Sequence, residues 1–303
     1  MWVRRRGEDR LVLSRAEDLA WAADLYTLSK AHEDRYFVDR AWDLVEQNLA
    51  MATDALRSVP DEPLDAQVWI HVLVGFVCGL FVRSPHWEGQ LSSRFADRGV
   101  DLSRLMSPDK MQDNANVARF FELQRVSPAV VRAEWHILRA PQGTAFLSND
   151  IGRTTMKHFE SGSRGYAIPM APDLALAVLS PGRRLRLRWT GTRWTVQDLR
   201  VVDLRPADVH GFNKALWDGC VEAVFGSPKH AVSDASSRSP EPPVTASDGS
   251  AFLGVSPADR RTMEHVHWQV RELVSREPED GHDEWTLDEL DGSWIPGIPS
   301  PNQ

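Results

Sequence analysis

The chain has 303 residues, of which 42% are hydrophobic and 26% charged, and its formal net charge is -8 at pH 7. These values are ordinary for a globular protein, and the negative charge argues against a protein that coats nucleic acid with a uniformly basic surface. Two cysteines without a CxxC pair argue against a zinc finger, and no apolar run is long enough to span a bilayer. The composition therefore predicts a cytoplasmic protein without a membrane segment.

The first half of the chain predicts a β-hairpin followed by a block of helices. Residues 3–15 alternate well enough for a hairpin that turns at Gly7. A strong amphipathic helix is predicted over 36–57, and a nearly all-apolar, central helix over 65–82. Three further helices are predicted, near 86–99, within 107–125 and from Ser127-Pro128 onward, and the helical block is predicted to end at about residue 133. One face of the first long helix is predicted to be apolar, with Phe37, Ala41, Leu44, Val45, Leu49 and Ala50.

The second half changes to strands and ends in a tail. Strands separated by Pro and Gly breakers predict a mostly antiparallel sheet over about 134–205, and a closing helix follows over about 206–226. Residues 230–250 are rich in Ser, Pro, Asp and Ala, which predicts a flexible linker. The tail, 251–303, is predicted to hold one amphipathic helix and a disordered end. The chain is therefore expected to be one α+β domain over 1–229 with a dispensable tail.

Five short motifs occur in a fixed order that is characteristic of a known family. The first two are VEQNLA on the first long helix and VRSP at the end of the second. EWHIL leading to FLSND comes next, then IPMAP, and finally GFNKALWDGCVEAVFGS on the closing helix. Over residues 11–227 this order resembles the bacterial domain of unknown function 4238 family. The resemblance implies a fold and no mechanism, because the activity of that family is unknown.

The sequence departs from the pattern of that family in two places. The family usually has a short His-containing segment, close to H-Y-V-P, before the first hairpin, and nothing here matches it. The T-S-D-N-P turn of the family corresponds to Leu147-Ser148-Asn149-Asp150-Ile151, with Asn and Asp in shifted order and no proline. The polar positions that match the family motifs are Glu46, Arg83 and Asn213.

A polar cluster at a strand end is the first candidate site. Ser148, Asn149 and Asp150 follow a short apolar strand, where they either form a turn that satisfies the local backbone or line a pocket that faces Asn213. Glu46 on the first long helix is predicted to be partly buried and to pair with Arg83. An enzyme would use Glu46, Ser148, Asp150 and Asn213 as catalytic groups, with Arg83 binding the ligand.

An arginine-rich strand is the second candidate site. In RRLRLRW, the side chains of Arg184, Arg186 and Arg188 share one face of a strand by the two-residue period. Three guanidinium groups on one face repel each other unless carboxylates or anions lie close. The face is therefore either solvated, with charges that protect a sheet edge, or it contacts phosphate or nucleic acid.

Two classes of function remain open at this point. The first is a hydrolase or nuclease that acts on a phosphorylated or nucleic-acid substrate at the polar cluster. The second is a non-catalytic protein that receives a partner on its sheet or arginine face. No metal site and no cofactor are predicted, because the chain has neither an HExxH motif nor a P-loop, and His265 and His267 are two apart on a helix, where side chains diverge.

Overall fold

The structure is a computed structural model, and it describes residues 1–8, 10–15, 28, 33–40, 42–82, 87–97, 99–157, 164–180, 185–235, 267–278 and 282–287. It has the predicted α+β class, with a helical block before a mixed set of sheets. Within these residues, no helix is long and apolar enough to cross a membrane.

In the part of the helical block that the structure describes, there are six α-helices and one π-helical segment. Pro60 and Pro63 follow the end of α2, and Ser107 begins α6 by accepting a hydrogen bond from the amide of Lys110, with Pro108 in the first turn. The π-helical segment Val68–Leu73 runs directly into α3. The helices are α1 (Phe37–Arg40), α2 (Asp43–Ser58), α3 (Val74–Val82), α4 (Trp87–Ala96), α5 (Leu102–Leu105) and α6 (Pro108–Val131).

The predicted helix boundaries and buried face differ from the structure at two points. α6 passes through Pro128, so the two helices expected on either side of that residue are one helix. On α2, Val45 and Leu56 are buried, whereas Leu44 and the preceding Phe37 are exposed. The cause is close contact with α3, since a Cβ on Gly75 would lie 2.9 Å from a Val45 methyl group. That contact turns Val45 inward and Leu44 outward.

The strands form three sheets in which all described pairs but one are antiparallel. The orders are β2-β1-β12-β5, β13-β9-β10-β3 and β11-β4-β8-β7-β6, and the parallel pair is β11 with β4. The first five strands are β1 (Trp2–Arg5), β2 (Val12–Leu13), β3 (Leu64–Asp65), β4 (Glu134–Arg139) and β5 (Ser148–Asn149). The next four are β6 (Thr154–Lys157), β7 (Arg164–Ala171), β8 (Leu174–Ser180) and β9 (Arg186–Trp189). The last four are β10 (Trp194–Gln197), β11 (Arg200–Asp203), β12 (Ala223–Gly226) and β13 (Glu284–Thr286).

The closing helix is shorter than predicted. α7 spans Pro206–Gly219, and the chain is extended from Cys220 before it enters β12. β12 pairs antiparallel with β1 and with β5, so it joins the N-terminal hairpin to the polar cluster. A long-range partner therefore overrides the helical pattern of residues 223–226. A short helix, α8 (Lys229–Ala235), then packs on α7 and β1.

The described part of the tail packs into the main core, whereas the sequence predicts a separate tail, and the dispensability of the tail for folding stays a prediction. A ninth helix, α9, is described over residues 267–274, and Val270, Leu273, Val274 and Leu287 are all buried in the same cluster as Trp69, Trp135 and Trp194. Val232 and Ala235 of α8 are also buried, so the first residues of the predicted linker belong to the fold. The rest of the linker, 236–250, and the predicted disordered end lie outside the described residues.

Candidate functional site

Asn213 attaches α7 to the segment before the polar cluster. Its side-chain Oδ1 accepts a hydrogen bond from the amide of Leu147 at 2.9 Å, and its Nδ2 donates to the carbonyl of Ala145 at 2.8 Å. The side chain is buried, so both bonds are shielded from water. The amide group thus replaces a neighbouring strand for residues 145–147, and both of its polar atoms are used for this purpose.

Asn149 and Asp150 attach the same stretch to the end of α7. The Nδ2 of Asn149 donates to the carbonyl of Leu216 at 3.0 Å. The carboxylate of Asp150 accepts from the amides of Val221 at 3.1 Å and Glu222 at 2.8 Å, where the chain leaves the helix. Asp150 therefore caps backbone amides that would otherwise lack partners in the turn.

The predicted catalytic residues lie on different elements. Asn213 bonds to the backbone of residues 145 and 147, and Asp150 bonds to amides that follow the end of α7 rather than facing its start. Glu46 is exposed on α2 and not partly buried. Arg83 lies outside the described residues, so its contact with Glu46 stays a prediction. Ser148 is half-buried in β5, opposite Phe225 of β12. The bonds of Asp150 and Asn213 favour the turn, and a catalytic role of these residues stays a prediction.

Substitutions in this stretch should separate the turn from a ligand site. We expect Asp150→Ala to lower the free energy of unfolding by about 1–2 kcal/mol, because the amides of Val221 and Glu222 lose their acceptor. Ser148→Ala should change it by less than about 0.5 kcal/mol. Chemical denaturation of both variants measures this difference. An equal decrease in the free energy of unfolding for the two variants would mean that the serine hydroxyl also stabilises the turn.

The arginine strand β9 carries carboxylate partners. Arg186 forms a two-bond pair with Asp198, with Nε to Oδ2 at 2.7 Å and Nη2 to Oδ1 at 3.2 Å, and its Nη1 bonds to Glu284 of the tail. The hydrogen bond and charge of Asp198, with the charge of Glu284, raise the pKa of the Arg186 guanidinium. Arg188 is exposed, and Arg184 lies outside the described residues. The repulsion expected on this face is thus relieved by carboxylates within the chain, and Arg186 is not available as a phosphate ligand.

The tail strand β13 adds to the edge of β9. Trp285 lies opposite Leu187, Thr286 opposite Arg186, and the amide of Trp189 donates to the carbonyl of Asp283 at 2.7 Å. The Trp285 side chain packs against the core cluster, and the ring of His282 stacks on it at 5.3 Å. Backbone pairing, an apolar anchor and an ion pair therefore all hold one short extended segment on this edge.

Helix α9 is held close to the same sheet. The side-chain amide Nε2 of Gln67 donates to the carbonyl of Val274 at 3.1 Å, and the indole Nε1 of Trp194 donates to the carbonyl of Arg276 at 2.8 Å. These bonds satisfy carbonyl groups near the end of the helix that have no partner within it. The C-terminal segment, which comprises residues 267–278 and 282–287, thus contacts the rest of the protein through both α9 and β13.

The sequence around β13 contains a local strand signal. Glu284-Trp285-Thr286-Leu287 alternates polar and apolar residues with the period of a strand, and the two apolar residues are those that face the core. The acidic, Pro- and Gly-rich surroundings suggested disorder instead. The partner strand is about 100 residues away, and nothing in the four residues identifies it.

Two other polar features lack the access that a site needs. The Nε2 of His136 lies 2.8 Å from Oε1 of Glu134 on β4, with Arg200 3.9 Å from the same oxygen, but the side chains of His136 and Glu134 are only 3% and 11% exposed. Buried Arg153 stacks on Phe81 at 4.6 Å and donates to the carbonyl of Leu80. Burial lowers the pKa of Arg153 to about 10, so it stays charged at neutral pH.

An open cleft of about 530 Å³ lies in the helical block. Its described lining provides two hydroxyl groups and one carboxylate, Asp101, which pairs with Arg104 at 3.0 Å. The lining residues are Ser92, Ser93, Ala96, Gly99, Val100, Asp101 and Met111.

Comparisons with known proteins gave no relative from which a function could be taken. No protein-family model, no curated protein and no solved structure matches this chain.

Proposed function

We propose that this protein is a non-catalytic interaction protein whose β9 edge binds an extended, acidic and aromatic segment by strand addition. The observation that carries the proposal is the pairing of β13 with β9, together with the ion pair between Glu284 and Arg186. In this chain the C-terminal segment occupies the edge, and a partner with a similar segment would compete for it.

The edge of β9 has the three features of a strand-addition site. β10 pairs with one side of β9, so the other side would present unpaired backbone groups without β13. Leu187 lies opposite Trp285, where an apolar side chain of the ligand contacts the core. Arg186 provides a charged contact that selects an acidic residue. Main-chain bonds supply affinity in such complexes, and side-chain contacts supply specificity.

The other predicted functions have less support. A hydrolase centred on Ser148, Asp150 and Asn213 has less support, because Asp150 and Asn213 form their recorded hydrogen bonds with the backbone. A phosphate or nucleic-acid contact at β9 has less support, because Arg186 is already paired with two carboxylates. We also propose that residues 11–227 derive from the domain of unknown function 4238 family, on the order of the five motifs, and this adds no mechanism.

A peptide-binding measurement tests the interaction function. The probe is a fluorescein-labelled peptide of residues 282–290, HDEWTLDEL, added to the full chain with Trp285→Ala and Leu287→Ala. We expect saturable binding to this variant and at least about tenfold weaker binding to the wild type, because a segment in the same chain has an effective concentration on the order of mM.

Two controls define the contacts. A peptide with alanine in place of both apolar anchors should not bind, and Arg186→Glu in the receiving chain should weaken binding by reversing the charge. Circular dichroism establishes that each chain is folded. No binding of the labelled peptide to a folded variant at about 1 mM would overturn the proposal.

A further inference from the structure

Two arginines of β9 lie near Glu284, and its carboxylate bonds to the more distant of them in the strand register. Glu284 lies directly opposite Arg188, whereas Thr286 lies opposite Arg186. The carboxylate nevertheless bonds to Nη1 of Arg186 at 2.5 Å, and no ion pair of Arg188 is recorded among the described residues. The strand register alone therefore does not decide which arginine binds the acidic side chain.

The carboxylate of Asp198 distinguishes the two arginines. It accepts from Nε of Arg186 at 2.7 Å and from Nη2 at 3.2 Å, and this bidentate pair fixes the plane of the guanidinium. The pair occupies the Nε side of the guanidinium and leaves Nη1 for Glu284 of β13. The carboxylate of a bound segment thus meets a guanidinium that is already oriented, so that less side-chain entropy is lost on binding.

The backbone conformation of Asp198 brings its carboxylate to the binding face. Gln197 is paired with Arg186, so their side chains share one face of the sheet, and the next residue of a regular strand would point to the opposite face. Asp198 instead has a φ of 64°, the only positive φ of a non-glycine residue in the described part of the chain. This left-handed turn interrupts the alternation, and such a conformation persists only where the surrounding contacts require it.

The charged groups on the receiving side are matched to one negative charge. Arg186 and Arg188 contribute two positive charges, and Asp198 removes one of them. The single carboxylate of Glu284 balances the remainder, whereas a phosphoserine carries a charge of about -1.5 to -2 at neutral pH and exceeds it. The additional negative charge would lie close to Asp198, because both acidic groups bind to the same guanidinium.

We propose that Asp198 is a positioning residue that sets the charge specificity of the β9 edge. It makes Arg186 select a glutamate directly before the aromatic anchor of the bound segment, and it disfavours a phosphorylated residue in that place. This specificity rests on the proposed function, because it concerns the segment that binds to the same edge. Phosphorylation of a partner at this position would therefore weaken its binding to β9.

Three fluorescein-labelled peptides test the specificity on the full chain with Trp285→Ala and Leu287→Ala. The first is HDEWTLDEL, the second has Glu284→Gln, and the third has phosphoserine in place of Glu284. At low ionic strength, where exposed charges are least screened, we expect the second and third peptides to bind about threefold or more weakly than the first. Equal affinity of all three peptides would overturn the inference and leave the proposed function intact.

Asp198→Asn in the same chain separates a role in specificity from a purely structural role. Asparagine also tolerates a positive φ, so the variant removes the charge and keeps the turn. We expect the ratio of the affinities for the glutamate and phosphoserine peptides to fall about threefold or more, because the phosphate then meets two arginines without an opposing carboxylate. Asp198→Gly serves the same purpose if the asparagine variant does not fold, since glycine also adopts this backbone conformation.

Asp203→Asn is the matched control, because it removes an exposed carboxylate from β11, which belongs to a different sheet. This control should leave the ratio unchanged, and an equal fall in the ratio would overturn the inference in favour of a general charge effect. A uniform decrease in affinity for all three peptides in Asp198→Asn, with the ratio unchanged, would also overturn it, because Asp198 would then be structural only. No binding of any peptide to a folded chain would overturn the inference and the proposed function together.

Discussion

Leu287→Ala should lower the free energy of unfolding by about 3 kcal/mol. The Leu287 side chain is fully buried in the main core cluster although it comes 16 residues before the end of the chain, and its truncation removes apolar contacts and leaves a cavity. Urea denaturation followed by far-UV circular dichroism measures the change. Leu13→Ala is the matched control, because that leucine is 67% exposed and its loss should cost less than about 0.5 kcal/mol.

A second substitution in the same segment tests whether the segment docks as a unit. If it does, adding Val270→Ala to Leu287→Ala should lower the free energy of unfolding of the rest of the protein only until the stabilisation that the docked segment provides is lost completely. Further changes would then have no effect on the unfolding of the body. Strict additivity of three or more such substitutions, without a plateau, would mean that the segment is an inseparable part of the core. That result would contradict strand exchange at β9.

Asn213→Ala should also lower the free energy of unfolding by about 3 kcal/mol. The variant leaves the amide of Leu147 and the carbonyl of Ala145 without their partner in a buried position, and each unsatisfied group costs about 1–3 kcal/mol. Asn48→Ala is the matched control, since Asn48 donates a single bond to the carbonyl of Leu44 on the more exposed α2. Thermal and urea denaturation of both variants provide the comparison.

The outcome for Asn213 also decides the role of this residue. A loss below about 1 kcal/mol would show that water or the backbone replaces the side chain, and the residue would again be available for a ligand. A decrease of several kcal/mol in the free energy of unfolding, with unchanged peptide binding at β9, would mean that Asn213 has a structural role only.

Local sequence signals were sufficient for elements whose partners are close in the chain. The helix predicted within 107–125 lies inside α6, and the apolar run of 65–82 predicted the central helix. Of the two interpretations of the polar cluster, the bonds of Asn149 and Asp150 to the backbone favour the turn. The charge pattern of β9 indicated repulsion unless anions or carboxylates lie close, and Asp198 and Glu284 lie close to Arg186.

Elements with distant partners could not be predicted in this way. Residues 223–226 continue a helical pattern, and they form a strand because β1, at the other end of the chain, pairs with them. The Glu284 that neutralises Arg186 is separated from it by 98 residues. Leu44 and Val45 are equally apolar, and only the close approach of α3 at Gly75 determines which of them is buried. These choices depend on tertiary contacts that no local window contains.

The pairing of β1 with β12 has a consequence for synthesis of the protein. β1 is made roughly 220 residues before its partner β12, the strand of residues 223–226 that flanks it in the sheet. At about 5–20 residues per second, a ribosome needs roughly 10–40 s to reach them. During that interval the side of Trp2–Arg5 that later pairs with β12 lacks this partner, so its backbone hydrogen-bonding groups are open to other nascent chains. Chaperones should therefore protect the N-terminal hairpin while the protein is being made.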